Sequence, residues 1–297
     1  MNMKKDHRQI ALQKEWKLVE IQEEKMIRAA QKVSKAEAVK KASWRQMLEG
    51  KIPPKVYENL RTAFGKAFGL IFEKGEVLIE KTYRKEDLLK DFAVRDYAVE
   101  IKGNRKALKD VRRKSGAADL TNMAVSAVEG IGLGALGIGL PDIVIFTGIL
   151  LKGIYETALN YGYDYEEPKE KLLILKMMET SLLTGEDWIR SNEEVNKWIS
   201  CGVPSRTEKN YSGCSEDVCL NLAIREQVRK TADVFALDML LLKFVQGLPI
   251  VGIAGGAANP VYYNRIMKYV KLMYQKRYLI SKNVNRRQQE SELHRMR

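Results

Sequence analysis

Histidine is almost missing from this chain of 297 residues: His7 and His294 are the only two, one in each charged terminus. Histidine-centred triads and histidine-bound zinc are thereby disfavoured, because both need imidazoles set among other functional groups. Cysteine is scarce too. Cys201, Cys214 and Cys219 contain no C-x-x-C pair, offer too few clustered ligands for a metal, and argue by their odd number against a disulfide framework. No metal and no cofactor is expected. Only 7 prolines are present, and period-two alternation of apolar and polar residues is lacking throughout, so strands are not expected. An all-α fold follows, a multi-helix bundle. Residues 1–31 carry charges throughout and lack an apolar core, which is not the pattern of a signal peptide.

What the chain does have is helical periodicity. Residues 4–49 predict one helix with a narrow apolar stripe at Leu12, Trp16, Val19, Met26, Ala30 and Val33, interrupted by Glu23. Such a stripe suits an arm docked on the rest of the protein better than a coiled coil. Gly50 and the pair Pro53-Pro54 stop this arm and open a second helix with Val56, Leu60, Ala63, Phe64, Ala67, Phe68 and Ile71 on one face. One or two helices are expected in 76–114, where Lys102 to Lys114 is strongly basic. Pro168 opens a helix with Leu172, Leu173, Leu175, Met178 and Leu182 toward a core, and 185–198 reads as a shorter acidic helix. Its Glu186-Asp187 and Glu193-Glu194 pairs are expected on solvated faces. Residues 201–215 form a candidate linker of turn-forming residues. Helices over 216–246 and 261–283 complete the series. The expected organisation is a charged arm over 1–49, a helical domain over 50–283 and a basic, frayed tail over 284–297.

Charge is unevenly spread. Residues 1–118 hold 29 Lys+Arg against 17 Asp+Glu, residues 265–297 hold 10 against 2, and the centre holds 12 against 19. Basic flanks around an apolar, acidic centre fit an anionic membrane surface, where each nearby Lys or Arg contributes about 1 kcal/mol. Nucleic acid is the less favoured partner, since aromatic residues for base stacking are scarce in the basic stretches.

Two glycine-rich apolar stretches stand out, residues 130–151 (GIGLGALGIGLPDIVIFTGILL) and 244–264 (FVQGLPIVGIAGGAANPVYYN). The letters Gly132 to Gly137 match a dinucleotide-binding loop, but that motif needs a preceding buried strand, and a helical pattern precedes it here. As helix, the five glycines from Gly130 to Gly139 would cost on the order of 5 kcal/mol relative to alanine. The four-residue spacings Gly130/Gly134 and Gly252/Gly256 allow close backbone approach, which offsets that cost. Asp142, Pro249 and Pro260 spoil a simple membrane span. Each stretch is therefore expected to form a short apolar hairpin, buried at the centre of the bundle or set partly into lipid. Asp142 and Asn259 close the two stretches, as helix caps; a functional role would require Arg277, Arg265 or Lys152 to reach Asp142. Tyr161 follows Asp142 and Tyr278 follows Asn259 at the same separation, nineteen residues, suggesting a degenerate repeat.

The block ADLTNMAVSAVEGIGLGALGIGLPD, the Tyr161-Gly162-Tyr163-Asp164 sequence after it, and the later GLPIVGIAGGAANPVYYNRIMKYVKLMYQKRYL resemble the EcsC family, bacterial proteins associated with an ABC-type transporter system. The resemblance spans residues 10–280 and implies no catalytic mechanism. The positions resembling its motifs are Gly137, Gly139, Asp142, Tyr161, Gly162, Gly252, Gly256, Asn259 and Arg277. It implies a non-enzymatic protein, cytoplasmic or peripheral at the inner face of the membrane, acting as accessory to a membrane transport system. Two alternatives stay open: an enzyme of unrecognised type with a pocket near Asp142 and Asn259, and a nonspecific nucleic-acid binder.

Overall fold

The computed structural model describes residues 2–32, 54–72, 84–114, 141–204, 215–245 and 260–295. Every regular element among them is a helix. In chain order these are α1 (Asn2–Lys32), α2 (Pro54–Leu70), α3 (Lys85–Lys102), α4 (Arg105–Lys114), α5 (Pro141–Asn160), α6 (Pro168–Leu182), α7 (Gly185–Cys201), α8 (Glu216–Val245) and α9 (Pro260–Arg295). The expected all-α bundle is what forms.

The centre is built from α5 and α6. In α5, Ile143, Val144, Leu150, Leu151, Ile154, Tyr155, Ala158 and Leu159 have no exposed surface. Among the described residues α5 is the one helix long and apolar enough to cross a membrane, with mean hydropathy 1.3 over Ile143–Asn160. However, 83% of that window is buried inside the protein, so its apolarity serves the core. The α6 helix begins with proline in its first turn, where a missing N–H costs nothing. It is buried on nearly every side rather than on one apolar face. Lys176 is drawn in with it, between Glu179 at 3.2 Å and Glu194 at 2.7 Å. Glu194 is exposed, as expected, and from the surface it supplies a counter-charge to this buried lysine.

Around this pair, α8 packs on α6 and α2, α9 packs on α6, α1 and α5, and α7 bridges α6, α1 and α9. The α2 stripe behaves as its periodicity predicts: Leu60, Phe64, Ala67 and Phe68 are fully buried. Phe64 and Phe68 meet Phe235 of α8 with ring centroids 5.2 and 5.5 Å apart. Of residues 76–114, the described part, 84–114, forms two helices because Gly103 adopts φ +53 and returns its N–H to Val99 O, the left-handed cap that ends α3. Asn104 then accepts the Ala107 N–H at 2.9 Å and starts α4.

The arm α1 lies against α9, α7 and α4, burying Leu12, Val19 and Ala30. Glu23, the residue that breaks its apolar stripe, is itself buried. It pairs with Lys276 of α9 and accepts hydrogen bonds from Asn192 at 3.1 Å and Asn196 at 2.7 Å. Glu15 is buried in the same interface, 3.4 Å from Arg112 and 3.3 Å from Gln275. The last helix does not stop near Asn283 but continues to Arg295. Residues 284–295 contain Arg, Gln, Glu and Leu without glycine or proline, a composition that sustains a helix. Cys201 is a free thiol, whereas Cys219 is disulfide-bonded, although the odd cysteine count argued against a disulfide framework.

Candidate functional site

Of the nine motif positions, Gly137, Gly139, Gly252, Gly256 and Asn259 lie outside the described residues. Asp142 is the second residue of α5, behind Pro141 and inside the helix rather than at its capping position; its side chain also lies outside the described residues. The cations considered as its partners serve other acids: Arg277 pairs with Glu170, Arg265 with Asp238 and Lys152 with Glu156. The structure does bring Tyr161, Gly162 and Arg277 together, at the end of α5.

That end is a tight turn. The Tyr161 and Tyr163 N–H groups both donate to Ala158 O at 3.0 Å, and the Gly162 N–H donates to Leu159 O at 2.9 Å. Gly162 sits at φ +79, and a Cβ there would stand 2.2 Å from the ring of Phe92 on α3. Glycine is required twice, for the left-handed backbone and for the space. The turn delivers Tyr161 inward and Tyr163 onto α9, followed by Asp164, which holds Lys85 of α3 at 2.9 Å.

An aromatic layer results. Tyr161 faces Tyr274 and Tyr278 of α9 with centroids 6.4 and 5.8 Å apart, and Tyr163 lies 5.7 Å from Tyr274. Arg277 stacks on Tyr163, its guanidinium carbon 3.8 Å from the ring centroid, a favourable cation–π geometry. Its Nη1 donates to Glu170 Oε2 at 2.6 Å, and the Tyr274 hydroxyl donates to Glu170 Oε1 at 2.6 Å. Tyr278 donates to Asp96 at 2.8 Å, and Lys282 joins Asp96 and Glu100 at 2.5 and 2.9 Å.

The electrostatics follow from burial. Loss of water pushes the Tyr163 phenol up to about 12 against the pull of Arg277. Burial also raises Tyr274 well above its ordinary value, and the Glu170 charge adds to it. Burial works against the charge on Arg277, but Glu170 more than offsets it and the guanidinium is held more firmly protonated. These phenols are neutral at physiological pH, and both oxygens of Glu170 are occupied. The layer can lock α5, α6, α3 and α9 together; it offers no free base or nucleophile at Glu170. Among the described residues, no group of three or more His, Cys, Asp or Glu could hold a metal ion.

Glu170 and Tyr163 are the members that motif reasoning passed over. Tyr163 carries a signal, since it belongs to the turn that Gly162 makes; Glu170 carries none in the sequence, its burial in α6 showing only in the structure. The helices that follow the two glycine-rich stretches also meet directly. Gly153 of α5 has no room for a Cβ, which would lie 2.4 Å from the Tyr263 hydroxyl oxygen of α9. With Gly153 beside Tyr263 and Tyr161 beside Tyr274 and Tyr278, α5 and α9 run in the same direction.

Comparison with known proteins adds the relationship. Over 163 residues the chain is 28% identical to "Uncharacterized protein YdbA" of Bacillus subtilis (strain 168), covering 54% of this chain and 55% of that protein. The chain thus spans about half the length of this curated relative. No solved structure matches it. The family model that matches extends over residues 13–279, most of the chain, including Tyr161, Tyr163, Tyr274 and Tyr278. The chain belongs to the EcsC protein family.

Proposed function

We propose that this protein is a non-enzymatic helical scaffold that attaches peripherally to an anionic membrane surface, as accessory to a membrane transport system. The observation that carries this is on α3 and α4. Val94, Tyr97 and Ile101 are 70%, 66% and 56% exposed, and their spacing of three and four aligns them as one stripe along α3. Beside them packs α4, with Arg105, Lys106, Lys109, Arg113 and Lys114 exposed to solvent. Several acids lie near these cations, and Asp110 is itself exposed on α4. Asp96 and Glu100 face Lys282 and Arg8, and Asp91 lies 3.8 Å from Lys114.

An exposed apolar row bordered by cations is the pattern of a helix that rests in the headgroup region, apolar residues entering and basic residues on anionic lipid. Both contributions are required for firm attachment.

Vesicle sedimentation tests the proposal. Native protein should pellet with phosphatidylglycerol-containing vesicles, not with phosphatidylcholine alone, and should be released as salt rises. Replacing Val94, Tyr97 and Ile101 together by serine, all at exposed positions, should weaken binding without loss of helical content. Equal binding to neutral and anionic vesicles, or none to either, rejects the membrane-surface role.

A further inference from the structure

A cavity of about 270 Å³ lies where α1, the α6–α7 corner and α9 meet, away from the tyrosine layer and the α3–α4 face. Its walls include Met26 and Ala30 of α1 and Leu183 and Trp188 of the corner, and α9 supplies Arg265 and Lys268. The two cations differ in what they are free to do. Arg265 is committed: it reaches Asp238 at 3.3 Å and donates to the carbonyls of Leu182 and Leu183 at 2.9 and 3.3 Å. Lys268 is exposed and makes no ion pair among the described residues. The cavity thus joins an apolar wall to an available ammonium, with a fixed guanidinium adding positive potential.

Size limits the occupant. An apolar cavity of about 150 Å³ holds benzene, while sites for drug-sized ligands begin near about 300 Å³. The site is open to solvent, and its apolar part suits one short chain. We infer that this cavity binds a single-chain amphiphile with a carboxylate head, the carboxylate on Lys268 and the chain against Met26, Ala30, Leu183 and Trp188. Cation and apolar wall act on opposite ends of such a molecule, so chain length and head charge both select for it.

Titration calorimetry of the full chain with octanoate, below the concentration at which it forms micelles, tests this, with 1-octanol as the uncharged control. Octanoate should bind saturably, one per chain, and more tightly than 1-octanol. Lys268→Gln should weaken octanoate about fivefold at low salt, the scale of an exposed ion pair, and leave 1-octanol unchanged. Ala29→Trp, at an exposed position lining the cavity, should block both. Octanoate binding no tighter than 1-octanol, or unaltered in both variants, overturns the assignment. Phosphatidylglycerol vesicles form a separate arm: Lys268→Gln should bind them as wild type does. Loss of vesicle binding would place Lys268 on the membrane-facing surface and overturn the cavity assignment, while failure of wild type to bind vesicles would touch only the α3–α4 face.

Discussion

Arg277 is clamped between Glu170, 2.6 Å from its Nη1, and the face of Tyr163, 3.8 Å from its guanidinium carbon. Glu170 is almost wholly enclosed, its side chain 5% exposed. Removing the cation strands a carboxylate in the core. Arg277→Met should therefore cost about 3–5 kcal/mol in denaturant unfolding, the usual penalty for breaking a buried pair. Arg277→Lys should recover only part of it, because an ammonium cannot both stack flat on Tyr163 and reach Glu170 with a planar fork. Full recovery with lysine would mean that charge alone matters at this position.

Glu23 gives the arm α1 a pH-dependent attachment. Burial by itself pushes its pKa up, but the Lys276 ion pair and the Asn196 and Asn192 hydrogen bonds prevail, leaving the folded value below the ordinary one. A group depressed on folding stabilises the protein above its unfolded pKa, near about 4.3, and loses that stabilisation as pH falls through the folded pKa. Wild type should thus be more stable than Glu23→Gln at pH 7. The gap should close between about pH 5 and pH 3. Urea unfolding of both proteins across this range measures it; a constant gap would show that Glu23 acts through packing alone.

Much of the bundle was legible because its helices follow simple periodicity. The α2 stripe ending in Phe64, Phe68 and Ile71 and the Pro168 start of α6 needed only spacing and proline placement. Tyr161 and Tyr278, singled out by their equal separations from Asp142 and Asn259, meet at 5.8 Å. Charge was harder to place. Glu23 and Glu170 look like surface residues until their partners Lys276 and Arg277 are seen, and those lie 253 and 107 residues away. Adjacent on α9, the two cations serve acids on different helices, a division that periodicity cannot assign. Pairing across such distances is set by how helices cross, which one chain's pattern does not encode.

Gly162 should tolerate no side chain. Alanine there meets the Phe92 ring at 2.2 Å and must adopt φ +79. Two costs combine, about 1–2 kcal/mol for the left-handed backbone and about 1–3 kcal/mol for overpacking. Phe92→Leu should relieve the second and not the first. In a double-mutant cycle, Gly162→Ala should therefore be milder in the Phe92→Leu background but still destabilising. Strict additivity of the two substitutions would remove the steric part of this account.

Gly153 tests whether the close approach of α5 and α9 holds the bundle centre. Alanine favours an isolated helix over glycine by about 1 kcal/mol, so Gly153→Ala would stabilise α5 if nothing stood opposite. Here its Cβ would lie 2.4 Å from the Tyr263 hydroxyl oxygen and 3.2 Å from its Cζ. That hydroxyl oxygen is buried and has no hydrogen-bond partner among the described residues, so Tyr263→Phe removes the nearer obstacle without breaking a bond seen among them. Gly153→Ala should destabilise wild type, and the same change in Tyr263→Phe should lose most of that penalty, with the ring carbon still tight. Thermal unfolding of the four proteins in the cycle separates propensity from contact: stabilisation by Gly153→Ala in the wild-type background would mean that α5 and α9 do not rest on this glycine.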